Sequence, residues 1–204
     1  MPRIKICGLT REEDIAYAND LKPDYVGFVF APSKRQITVE EAIKLIEKLD
    51  EAIKRVGVFV NPPMGEVKRI AEVCKLDVLQ FHGEEKLQEI IDFPQEVWKS
   101  FRIKDRESYR QLEAYTVGGY LLDTYVKGQQ GGTGKAFDWN IGSDICKNKY
   151  IILAGGLSPE NIEEALEKMN PQVVDVSSGV ETDGYKDFEK IKKFIEKVRR
   201  YYDS

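Results

Sequence analysis

The chain has 204 residues, which at roughly 150 residues per domain suits one domain or two very small ones. Hydrophobic residues make up 42% and charged residues 32%, with both signs mixed and a formal net charge of −4; this excludes intrinsic disorder and argues against a basic nucleic-acid surface. Three widely spaced cysteines, Cys7, Cys74 and Cys146, with the single histidine His82 and no CxxC pair, argue against a Cys/His metal cluster and for a reducing compartment.

Short apolar, β-rich runs recur along the whole chain, at residues 4–7, 25–30, 56–60, 78–82, 97–101, 120–123, 150–154 and 173–176. Such runs suit strands buried on both faces of a parallel sheet. Helical start signals lie between them. Thr10 with Glu13 and Thr38 with Glu41 have capping-box spacing, and Ser158-Pro159 reads as an N-cap followed by proline in the first turn. At the end of the chain Phe188, Ile191, Ile195, Val198 and Tyr202 form one apolar stripe at helical steps. Eight strands alternating with helices, and no linker, predict an α/β fold: a (β/α)₈ TIM barrel occupying residues 1–204 as one domain. An open doubly wound sheet is the rival, but no G-x-G-x-x-G follows the first strand.

In such barrels chemistry sits where strands run into the following loops. There the sequence places Cys7, Arg35, Asn61, His82, Asp123, Gly155-Gly156 and Ser177-Ser178-Gly179, while strand middles stay apolar. Gly155 and Gly156, with Ser178 and Gly179, follow the seventh and eighth strands. Glycines there let backbone N–H groups approach a phosphate, although a single pair could equally make a tight turn. Gly131-Gly132-Thr133-Gly134 lies in a long connection that suits a cover over the site. Cys7 shares a strand face with Lys5, and alone it reads as readily as a small buried hydrophobe. Asp123 finishing a barrel strand is costly unless paired or used, and Asp175 inside a strand needs a buried partner. Gln80 and His82 share a face.

These pieces, in this order, resemble the phosphoribosylanthranilate isomerase family. The matching segments include Lys5-Ile6-Cys7-Gly8, Ser33-Lys34-Arg35, Gln80-Phe81-His82-Gly83, Leu121-Leu122-Asp123-Thr124, Phe137-Asp138-Trp139, Leu153 to Leu157 and Asp175 to Glu181. The stretch from Glu181 to Asp187 departs from the family pattern by being short and lacking proline. The resemblance implies an Amadori rearrangement in tryptophan biosynthesis, with Asp123 as general acid and Cys7 as general base. It assigns Arg35 to the carboxylate of the aryl group, with Gln80, His82 and Asp175 also binding substrate. Gly155, Gly156, Ser178 and Gly179 would hold the phosphate. No metal or cofactor is implied, and the partner expected is a small phosphoribosyl substrate rather than nucleic acid or membrane. A related phosphate-binding barrel isomerase, or a barrel that binds a phosphometabolite without turnover, is the alternative. No apolar run approaches the ~20 residues of a membrane span, so the expected location is cytoplasmic. A homodimer stays open, because helix faces that pack on a barrel and on a second subunit read alike.

Overall fold

The computed structural model describes residues 1–103, 107–123 and 148–203. In chain order the elements are β1 (Arg3–Cys7), α1 (Glu12–Leu21), β2 (Tyr25–Val29), α2 (Val39–Ile46), β3 (Lys54–Phe59), α3 (Met64–Val73), β4 (Val78–Phe81), the short α4 (Leu87–Ile90) and β5 (Glu96–Arg102). A 3₁₀ segment (Glu107–Ala114), β6 (Gly119–Asp123), β7 (Ile151–Ala154), α5 (Ile162–Met169) and β8 (Val173–Val176) follow. A small antiparallel pair, β9 (Glu181–Thr182) and β10 (Tyr185–Lys186), precedes the last helix, α6 (Phe188–Asp203). Each strand from β1 to β8 pairs parallel with the next, and β8 returns to β1, so the sheet closes into the expected barrel.

The alternation along each strand divides the core in two. Tyr25, Val56, Val78, Trp98, Leu121, Ile152 and Val173 fill the barrel interior, where Tyr25 meets Trp98 edge-on at 5.1 Å between ring centroids. The alternate residues, among them Ile4, Ile6, Phe28, Phe59, Leu79, Leu122, Leu153 and Val174, pack outward against the helices. Interior positions nearer the strand ends turn polar, and there the cavity opens.

The helix signals fare unequally. The Thr38–Glu41 box forms as expected, with Glu41 N–H donating to Thr38 Oγ1 at 3.2 Å and Thr38 N–H to Glu41 Oε2 at 2.9 Å. Thr10 does not cap α1. Instead the buried carboxylate of Asp14 accepts from the N–H groups of Thr10 and Arg11, at 2.9 and 3.0 Å, and also holds the Arg11 guanidinium. A charged acceptor with several donors binds more strongly than a neutral hydroxyl. Ser158-Pro159 stands one turn before α5. The N-cap residue is Asn161, whose Oδ1 accepts from Ser158 N–H at 2.9 Å. The terminal stripe is real: Ile191, Ile195 and Val198 are buried, joined by Phe194.

Candidate active site

A cavity of about 900 Å³ opens at the C-terminal ends of the strands. Cys7, Arg35, Gln80, His82, Asp123, Asp175, Gly155, Gly156 and Ser178 all line it. Cys7 ends β1 and Asp123 ends β6, with β7 and β8 between them around the ring. Of the expected site residues only Gly179 is not among those lining the cavity.

Register builds the floor of the site. Lys5 stands opposite Asp175 in the β1–β8 pairing, and Cys7 opposite Gly27 in the β1–β2 pairing. The fully buried Lys5 ammonium reaches Asp175 Oδ2 at 2.8 Å, which supplies the partner that a carboxylate inside a strand requires. Burial works against a charged Lys5, but Asp175 and Cys7 outweigh it and hold the ammonium above its usual pKa. For Cys7 burial dominates and pushes the thiol up, with Lys5 pulling against it.

Beside them, Gln80 Nε2 stands 2.5 Å from His82 Nε2. An amide donor there requires a neutral ring with its proton on Nδ1. Burial, followed by the charges of Lys5, Lys99 and Arg102, drives the imidazole pKa down to about 3. His82 is therefore a neutral hydrogen-bonding group at physiological pH rather than a cation. Gln80 Oε1 is buried without a hydrogen-bond partner.

At the rim, Arg35 donates through Nε and Nη2 to the two oxygens of Glu181, at 2.6 and 2.7 Å. Glu181 also receives Lys186 Nζ at 2.6 Å. Burial opposes the Glu181 charge, yet the two cations keep its carboxyl below the ordinary range. Lys186 is itself buried and reaches back to the Ser177 carbonyl at 3.1 Å, while Ser177 Oγ donates to the Cys7 carbonyl at 2.9 Å. The β9–β10 pair thereby ties Arg35 to the end of β8.

The glycine-rich loops differ in what they require. Gly155 and Gly156 sit at φ +84° and +68°, a region that L side chains rarely adopt. Gly179 answers to space instead: a Cβ there would lie 1.9 Å from the Leu157 carbonyl oxygen. It packs the β8 loop onto the β7 loop.

A second buried pair went unread in the sequence. Lys99 Nζ lies 3.1 Å from Glu85 Oε2 and donates to the Gly83 carbonyl at 2.6 Å. Glu85 Oε1 accepts from the N–H groups of Asn61 and Gly83, at 2.7 and 3.2 Å. This network holds the loops after β3 and β4, including the one that carries His82. A lysine between the apolar Val97-Trp98 and Phe101 of β5 was the available signal; Glu85, in a loop, offered none. Glu181 and Lys186 were likewise unassigned. Gly131 to Gly134, Phe137-Asp138-Trp139 and Cys146 lie outside the described residues.

A family model described as N-(5′-phosphoribosyl)anthranilate (PRA) isomerase matches residues 4–197. An N-(5′-phosphoribosyl)anthranilate isomerase of Thermoanaerobacter sp. (strain X514) is 56% identical over 98% of this chain and 98% of its own. Among solved structures, mutually generated monomers of dimeric phosphoribosylanthranilate isomerase from Thermotoga maritima superpose with a TM-score of 0.86 at 37% identity, covering 98% of this chain and all of that one (100%). A phosphoribosylanthranilate isomerase in complex with reduced 1-(o-carboxyphenylamino)-1-deoxyribulose 5-phosphate superposes at 0.85 and 34% identity, with coverage of 98% and 100%.

Proposed function

This chain belongs to the N-(5′-phosphoribosyl)anthranilate isomerase family, and we propose that its own residues carry out the isomerisation with Asp123 as acid and Cys7 as base. The reaction is the Amadori rearrangement of N-(5-phosphoribosyl)anthranilate to 1-(2-carboxyphenylamino)-1-deoxyribulose 5-phosphate, a step of tryptophan biosynthesis. One observation supports pairing these two groups, while the division of roles between them follows the family resemblance. A thiol on β1 and a carboxyl on β6 line the same cavity, whose rim bears the glycines of the β7 loop.

Asp123 gives a proton to the ribose ring oxygen as the C1–O bond breaks, which leaves an iminium between C1 and the aryl nitrogen. The Cys7 thiolate then removes the C2 proton, and the electron pair neutralises the iminium to form an enolamine. Tautomerisation moves a proton to C1 and leaves a ketone at C2. Each such proton transfer is typically worth about 10²–10⁴-fold in rate. Asp175 Oδ1 and Gln80 Oε1, buried without hydrogen-bond partners, suit the sugar hydroxyls, and the neutral His82 can donate from Nδ1. The Arg35–Glu181 pair uses Nε and Nη2, leaving Nη1 for the aryl carboxylate. Gly155, Gly156 and Ser178 suit the phosphate, with Gly179 supporting them from behind.

The test is consumption of freshly made phosphoribosylanthranilate by the purified protein, followed by loss of its fluorescence. Turnover supports the reading; tight binding of substrate without turnover overturns it in favour of a binding-only barrel. A cytoplasmic location fits the buried free thiols of Cys7 and Cys74. Likeness to the dimeric Thermotoga maritima protein supports a homodimer, which sedimentation equilibrium checks directly.

A further inference from the structure

Lys5 has no part in the proton transfers above, yet its side chain is fully buried beside them. An ammonium in such a place costs several kcal/mol unless it is well paired. Its Nζ donates to Asp175 Oδ2 at 2.8 Å, and on the same strand face the Cys7 thiol lies near enough for the two groups to act on each other's charge. Gly27 of β2 makes room for both. A Cβ built there would come within 2.7 Å of Cys7 Sγ and 3.3 Å of Lys5 Cε. Among the described residues, Lys186 from β10 and Arg35 from the loop after β2 also act on Cys7, and both are tied to Glu181.

We propose that Lys5 is a positioning residue whose ammonium, anchored on Asp175, is the counter-charge of the Cys7 thiolate. The inference rests on the reading of Cys7 as the base. A buried thiol resists ionisation, so a base at this position needs a cation in contact with it. Asp175 acts in two directions: it keeps Lys5 charged and aimed, while its own negative charge disfavours the thiolate. Removal of Asp175 and removal of Lys5 therefore have distinct signatures.

The experiment is the rate of Cys7 alkylation by iodoacetamide across pH, read on the Cys7 peptide by mass spectrometry so that Cys74 and Cys146 do not contribute. Lys5→Met is expected to raise the alkylation midpoint by about one to three units, making the reaction about tenfold slower or more below that midpoint. Asp175→Asn is expected to lower it. In Lys5→Met the plateau of the kcat profile should fall and its basic limb should move with the alkylation midpoint, while KM changes by less than about threefold. If Lys5→Met fails to fold with Asp175 left unpaired, Lys5→Met/Asp175→Asn removes both buried charges at similar volume and should still titrate above wild type. A wild-type midpoint in either variant overturns the role of Lys5, even where Cys7→Ser is inactive. Full turnover by Cys7→Ser would instead overturn the assignment of the base.

Discussion

At Cys7 and Asp123 the proposed reaction asks the less acidic group to be deprotonated and the more acidic one to hold its proton. Burial at Cys7 opposes the first requirement, so the working protein should contain only a minor fraction with both groups correctly protonated, and turnover should stay nearly level with pH between the titrations of the two groups and fall on either side. Cys7→Ser and Asp123→Asn should each lower kcat by about 10²-fold or more while sparing product affinity, as checked by steady-state kinetics and calorimetry. Arg35→Ala should weaken binding of the carboxylated product far more than that of its decarboxylated analogue; the ratio of the two dissociation constants is the readout. Most of these residues were readable one at a time as polar groups at strand ends. Their company was not. That Arg35 is clamped by Glu181, or that Gln80 meets His82 at 2.5 Å, depends on loop and side-chain geometry that strand patterning does not specify.

Strands were the most legible elements, because a run buried on both faces has to be apolar along its whole length. Helix starts were less so. At α1 the N-cap position falls to Arg11 rather than Thr10, and the third helical residue, Asp14, reaches back to the N–H groups of both. The β7 and β8 loops were identified as a pair, but glycine content alone could not separate conformational need from crowding. Substitution can. Gly156→Ala meets no atom within 4 Å and suffers only from its φ of +68°, a cost of roughly 1–2 kcal/mol. Gly179→Ala drives a methyl group into the backbone of Leu157 and should cost more, because the two loops must part. Urea unfolding should rank them in that order, and inorganic phosphate should compete with substrate less well in Gly179→Ala than in Gly156→Ala.

Across the whole barrel, buried ions tie non-adjacent segments together, and pH tests them. Lys99→Met would strand Glu85 in a buried site (its side chain is 2% exposed), a loss of about 3–5 kcal/mol that urea unfolding would measure. His82 titrates near 3 in the folded protein against about 6.5 in an unfolded chain. The unfolded state therefore takes up the extra proton first. The stability contributed by neutral His82 is complete above about pH 6.5 and is lost progressively as pH falls toward 3. Between pH 7 and pH 5 wild type should lose roughly 1–2 kcal/mol that a His82→Gln variant retains. The amino-acid sequence by itself determined the eight-strand alternation, the side of the barrel that carries the chemistry and the order of its polar strand ends. All of these follow from local periodicity and from the cost of burying polar groups. Closure of the ring decided the rest. Only when β8 returns to β1 does Asp175 lie against Lys5. An ion pair between residues so far apart in the chain is set by strand register, which no local pattern encodes.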